Sequence, residues 1–161
     1  MQEIIKLVMQ KLATRQYSAL VLSAGKPFDN FARDKGDFVK NSTIVLKDIS
    51  PVYLKKLAAQ DASDEWVKWS LEAFTYGCKL VLVLNGGSEC FIPEDLLLKW
   101  PLKIRRNDEK QYVMLEGSVI TYAKVMEAPS NSILILKEKQ RMTALAEEAL
   151  TKKNILLLGR R

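Results

Sequence analysis

Apolar and polar positions follow two rhythms along this chain, and they meet most sharply at the run from Lys79 to Leu84. That run has no polar alternation, is built of leucine and valine, and is closed by Asn85-Gly86-Gly87, which predicts a strand buried on both faces. Before it, Glu65 to Tyr76 has helical spacing, and Gly77 stands where a helix end favours a left-handed residue. In open α/β sheets, ligands bind where such a strand exits. Asn85, Gly86, Gly87 and Ser88 are therefore the candidate ligand loop, to be weighed against a plain turn leaving a buried strand.

The first segment, Met1 to Thr14, has the other rhythm. At about 100° per residue, Met1, Ile4, Ile5, Val8, Met9 and Leu12 share one arc of a helix, while Gln2, Glu3, Lys6 and Gln10 fall opposite. Only Leu7 and Ala13 stray from the division. Such a helix can pack on its own domain, or it can lay its apolar face into a groove on another protein. The second use makes Ile4, Ile5, Val8, Met9 and Leu12 the candidate docking residues. Residues 1–14 are read as a docking or targeting helix and residues 15–161 as a single α/β domain.

Ser18 to Ala24 and Ser42 to Ile49 predict two strands, the second rich in β-branched residues. Between them, Lys26 to Lys40 has no clean period and reads as a long loop with room for one helical turn, pinned by Phe28, Phe31 and Phe38. Ser50-Pro51 opens a helix with a cap and a proline at its first position. Val52, Leu54, Leu57 and Ala58 mark its buried side. Trp66, Val67, Leu71 and Phe74 mark that of the next helix, with Trp69 off the stripe and free to cover a neighbouring element. Pro93 starts a brief helix that Pro101 ends. Leu102 to Arg105 and Gln111 to Glu116 predict strands that form a hairpin or join different parts of the sheet. Ile120 to Val125 is a short helix capped by Thr121, Ser132 to Leu136 a strand, Thr143 to Lys153 a helix and Asn154 to Leu158 a last strand. Strands alternating with helices predict an α/β domain with a mostly parallel sheet flanked by helices.

At 161 residues, with 48% apolar and 27% charged positions, the chain has the size and composition of one globular domain. Its apolar runs fall far short of the ~20 residues a membrane span needs. No signal-peptide core is visible, so a cytoplasmic protein is expected. The net charge of +6 collects in residues 1–60 and 101–161, while residues 61–100 are acidic. No basic stretch is interleaved with aromatics, so solvated faces explain the charge better than a nucleic-acid surface.

The chain contains no histidine, which removes the commonest metal ligand and the commonest neutral-pH base. Cys78 and Cys90 match no metal spacing and read as small buried hydrophobes. Glu94/Asp95 and Glu147/Glu148 are adjacent on helices and diverge by about 100°, so neither pair converges on one substrate. No catalytic residue, cofactor or metal is expected. Asn85 to Ser88 matches neither a dinucleotide fingerprint nor a phosphate loop.

Two stretches resemble a known family. One is Gly117 to Val125, then Ser132 to Leu136, then Met142 to Leu150 and Ile155 to Leu158. It is similar to the ending of several bacterial microcompartment proteins, in which a Thr-Pro-Leu-Ala-Arg-Asp-x-Ala helix start precedes a final strand. Here Ala144 replaces the proline and Glu147-Glu148 the Arg-Asp pair. The other is Trp69 to Leu80 with the strand after it. With its length and first helix, the chain resembles the propanediol utilization protein M family (PduM). The resemblance implies a non-catalytic structural or assembly protein of a bacterial microcompartment for 1,2-propanediol utilization, with shell or cargo proteins as partners and a homo-oligomer as an option. It carries over no catalytic residues. The competing reading is a nucleotide- or flavin-binding α/β protein using the sheet's C-terminal edge.

Overall fold

The computed structural model describes residues 2–29 and 33–159. The chain divides into two compact units, Met1–Val83 and Leu84–Arg161.

The first unit runs α1 (Gln2–Gln16), β1 (Ala19–Ser23), α2 (Lys35–Lys40), β2 (Thr43–Lys47), α3 (Pro51–Ala58), α4 (Glu65–Thr75) and β3 (Lys79–Leu84), whose last residue opens the second unit. Strands β1, β2 and β3 pair in parallel, with Leu20, Ile44 and Leu80 in one row and Leu22, Leu46 and Leu82 in another. Ile44, Leu46, Leu80 and Leu82 are fully buried, and Val81 on the other face of β3 is buried as well. The central strand is thus covered on both faces, as its unbroken apolar run predicts.

Helices α3 and α4 are bounded by their own sequence. The Ser50 hydroxyl accepts from the Tyr53 N–H at 3.1 Å, with Pro51 at the first helical position. The Asp64 carboxylate accepts from the N–H groups of Trp66 and Val67 at 3.1 and 3.3 Å. Helix α4 ends where Gly77 takes φ +67°. There Gly77 N–H donates to Phe74 O and Cys78 N–H to Ala73 O, the paired closure that a left-handed residue makes possible.

The buried sides differ from the expected stripes in two places. On α3, Val52 points outward and Tyr53 is buried instead, because its hydroxyl meets Ser70 Oγ at 2.7 Å. Burial raises the Tyr53 pKa above the ordinary phenol range, so the hydroxyl stays protonated. On α4, Val67, Trp69, Ser70 and Ala73 are buried, while Trp66, Leu71 and Phe74 are half-buried. Helix α4 is covered from two sides, by α3 through Ser70 and by Phe28 and Phe38 through Trp69. Ring centroids lie 4.8 Å apart for Phe38–Trp69 and 5.0 Å for Phe28–Trp66. Phe28 and Phe38 therefore pin their segment as expected; Phe31 lies outside the described residues.

The second unit contains α5 (Glu94–Leu98), β4 (Leu102–Arg106), β5 (Tyr112–Val113), β6 (Val119–Ile120), α6 (Tyr122–Glu127), β7 (Ile133–Leu136), β8 (Arg141–Met142), α7 (Ala144–Lys152) and β9 (Leu156–Gly159). Strands β5, β7 and β9 form a parallel sheet, and β6 pairs in parallel with β8. One antiparallel bridge, Arg105–Gln111, closes the turn after β4, so both readings of this segment hold in part: a hairpin-like return, then a strand added beside β7. Ile120, Val125, Ala128, Leu134, Ala146, Ala149, Leu150 and Ile155 make its core. The Lys153 ammonium donates to Met126 O at 2.6 Å and to Ala128 O, meeting the carbonyls that α6 leaves unpaired at its end.

Candidate docking helix

Helix α1 is the one long helix of the first unit with no buried residue. Ile4, Ile5, Val8, Met9 and Leu12 keep between 48% and 69% of their surface exposed. Leu7, off the arc, is exposed too. The structure places all five candidate docking residues on one helix with their side chains exposed. Covering a half-exposed side chain of this size is worth about 1 kcal/mol, so the stripe holds several kcal/mol available only to association.

The helix is nonetheless held firmly at its C-terminal end. Arg15 donates through Nε to Phe38 O at 3.2 Å and through Nη2 to Tyr76 O at 2.7 Å. These carbonyls stand at the ends of α2 and α4, where helix dipoles favour a cation. The Ser42 hydroxyl adds a bond to Gln16 O at 3.0 Å. Arg15 escapes a reading by apolar period alone. Its signal is a charge inside the apolar arc, between Ile4 and Val8, where only a buried partner rewards it.

The Asn85 to Ser88 segment leaves β3 as a turn in which Gly87 takes φ +94°. The polar groups around it engage one another. Asn85 Oδ1 accepts from Asn107 Nδ2 at 2.9 Å, and Arg106 grips Asp108 through two bonds of 3.0 and 2.6 Å. The buried Tyr112 donates its hydroxyl to Glu89 at 2.8 Å. Burial pushes the Glu89 carboxyl up, but the backbone N–H groups of Glu89 and Gly87 and the Tyr112 hydroxyl outweigh it and hold the pKa below the usual range. Burial, and after it the same contact, raise the Tyr112 phenol. This is a closed polar latch on a turn.

The remaining candidates stay apart. Glu94 pairs with Lys137 at 3.0 Å and Asp95 with Lys99 at 2.8 Å, so the adjacent carboxylates face different cations. Cys78 is buried among the carbonyls of Phe38 and Asn41, as expected, but Cys90 is exposed, carried outward with Phe91 on a short 3-10 turn. Among the described residues no cluster of three or more His, Cys, Asp or Glu side chains could hold a metal, and no helix is long and apolar enough to cross a membrane.

Fold and site together define an α/β protein of parallel sheets that holds out an uncovered amphipathic helix. Residues 3–156 match the model of a family described as "Putative propanediol utilisation", and the chain belongs to that family. The match begins inside α1 and reaches β9, so it takes in the helix as well as the sheets. No curated protein and no solved structure matches the chain.

Proposed function

We propose that this chain is a non-catalytic structural or assembly protein of the bacterial microcompartment for 1,2-propanediol utilization, of the protein M type, which docks to shell or cargo proteins through α1. The observation that carries the reading is the helix itself: a stripe of five apolar side chains left in solvent on an element whose end is fixed by Arg15. Membership of the propanediol-utilisation family supplies the setting. The lack of histidine and the mutual engagement of the polar groups around Asn85 to Ser88 support a surface role over chemistry.

The test deletes residues 2–14 from a fluorescent fusion of the chain in a cell that builds these compartments. The intact fusion is expected to form compartment-sized foci and to co-purify with shells; the shortened one is expected to spread through the cell. Equal co-purification of the two would remove docking through α1. Turnover of a diol, aldehyde or nucleotide by the purified chain would remove the non-catalytic part.

A further inference from the structure

The exit of β3 combines features that a plain turn does not need. Asn85 is followed by Gly86, and both are exposed. Gly86 lies in neither helix nor strand, and its N–H has no hydrogen-bond partner among the described residues. Without a side chain, nothing on Gly86 crowds an approach to that nitrogen. The Asn85 carboxamide is held by its oxygen, which accepts from Asn107 Nδ2 at 2.9 Å, while its own Nδ2 has no partner among the described residues. Two other asparagines stand in contrast. At Asn41, Nδ2 donates to Asp37 O, and the N–H of the following Ser42 donates to Ser18 O. After Asn154, the Ile155 N–H donates to Leu150 O, and the β-branched Ile155 is buried.

We infer that Asn85 is a site of self-modification, in which the Gly86 nitrogen closes a cyclic imide on the Asn85 side chain. The Gly86 nitrogen gives its proton to water and forms a bond to Asn85 Cγ. The Cγ–Nδ2 bond then breaks, and Nδ2 takes up a proton and leaves as ammonia. Water adds to either carbonyl of the imide, so the ring opens to aspartate or to isoaspartate. Water is the only co-reactant, and nothing is oxidised or reduced. The hydrogen bond from Asn107 steadies the negative charge that gathers on Oδ1 as the nitrogen adds. Either product puts a carboxylate where the chain had a neutral amide. The isoaspartate product also runs the backbone through Cγ, which adds a methylene between β3 and the turn where the Gly87 N–H holds the Glu89 carboxylate. The exit of β3 thus changes its charge and its length without an enzyme, whether or not α1 docks.

The experiment incubates the full-length chain at 37 °C, at pH 7.4 and at pH 5. It follows released ammonia, the mass of each asparagine-containing peptide, and methyl transfer to isoaspartate by an isoaspartyl methyltransferase. Four versions are compared: the unaltered chain, Gly86→Ala, Asn85→Gln and Asn107→Ala. Alanine is accepted at position 86, where an added Cβ meets nothing within 4 Å and the backbone is not left-handed. In the unaltered chain, conversion at Asn85 is expected to be about tenfold faster than at Asn41 or Asn154. At pH 5 it is expected to be about tenfold slower, because the attacking nitrogen must lose its proton. The methyl group of Gly86→Ala hinders that nitrogen and is expected to slow conversion about tenfold. Asn85→Gln, which would have to close a larger ring, is expected to stay unconverted. Asn107→Ala is expected to slow conversion about threefold, the worth of one exposed hydrogen bond. Equal rates at Asn85, Asn41 and Asn154, or an Asn85 still unconverted after a month, overturn the proposal. A rate that Gly86→Ala leaves unaltered assigns the ammonia to direct hydrolysis and overturns the ring closure. Conversion as fast in Asn107→Ala as in the unaltered chain, or faster, overturns the part given to Asn107. Circular dichroism confirms that each variant is folded.

Discussion

Helices α1 and α4 have the same kind of sequence and opposite fates. Both show apolar residues at helical spacing, and both belong to the first unit. In α4 the pattern is consumed: Val67 and Ala73 are fully buried, Trp69 lies against Phe38, and Ser70 meets Tyr53. In α1 nothing is consumed, and the only inward group is a cation. The difference lies in what stands opposite. Helix α4 is enclosed between α3 and the rings of Phe28 and Phe38, whereas α1 is tied by its last turn. Amphipathicity states that a face will be covered; it does not state by whom.

Substitution of equivalent residues makes the contrast measurable. Val67→Asp places a charge in the core of α4 and is expected to cost more than about 4 kcal/mol, enough to unfold the first unit. Val8→Asp on α1 is expected to change stability by less than about 0.5 kcal/mol, because the side chain already faces water. Urea unfolding of the two variants checks this; a similar large loss in both would mean that α1 is part of the core.

A smaller effect is expected at the anchor. Arg15→Ala removes charge-assisted bonds to Phe38 O and Tyr76 O and is expected to cost about 2 kcal/mol. It should also raise amide exchange across Gln10 to Gln16, and a variant with unaltered exchange there would show that the helix is held by something else.

A smaller loss again separates α4's own boundary from its packing. At Asp64, burial works to raise the pKa, but the Lys56 ammonium at 2.9 Å and the N–H groups of Val67 and Trp66 prevail and lower it below the ordinary 3.8. A depressed folded value means that the stabilisation is present above the unfolded pKa and is lost as pH falls through the folded one. Asp64→Ala is therefore expected to cost about 1 kcal/mol at pH 7. The gap between variant and unaltered chain should persist at pH 5 and close as pH drops below 3.8. A gap that holds constant down to pH 2 would contradict the role given to the carboxylate.

Much of the scaffold can be read from local pattern because local chemistry determines it. The apolar run of β3, the Gly77 closure of α4, and the caps at Ser50, Asp64 and Thr143 are each decided within a few residues. Thr143, for example, accepts from the Ala146 N–H at 3.3 Å. What pattern misses depends on partners distant in sequence. Strand β8 is two residues, Arg141 and Met142, and exists because β6 lies beside it. Tyr53 is buried because Ser70 is there to receive its hydroxyl, and Cys90 is exposed although Phe91 and Ile92 follow it. The candidate site divides in the same way. Its apolar stripe is visible in the spacing of Ile4, Ile5, Val8, Met9 and Leu12. Its exposure and its anchor at Arg15 are visible only once Phe38 and Tyr76 are placed.

The central claim, that α1 is an open helix which a partner covers, is tested most directly by hydrogen–deuterium exchange of the full chain with and without purified propanediol-utilisation shells. Alone, the amides of residues 4–12 are expected to exchange early while those of 66–74 stay protected. With shells in excess, 4–12 are expected to slow at least tenfold and 66–74 to remain as they were. Protection of 4–12 in the free chain, or exchange there that shells leave unaltered, would contradict the account.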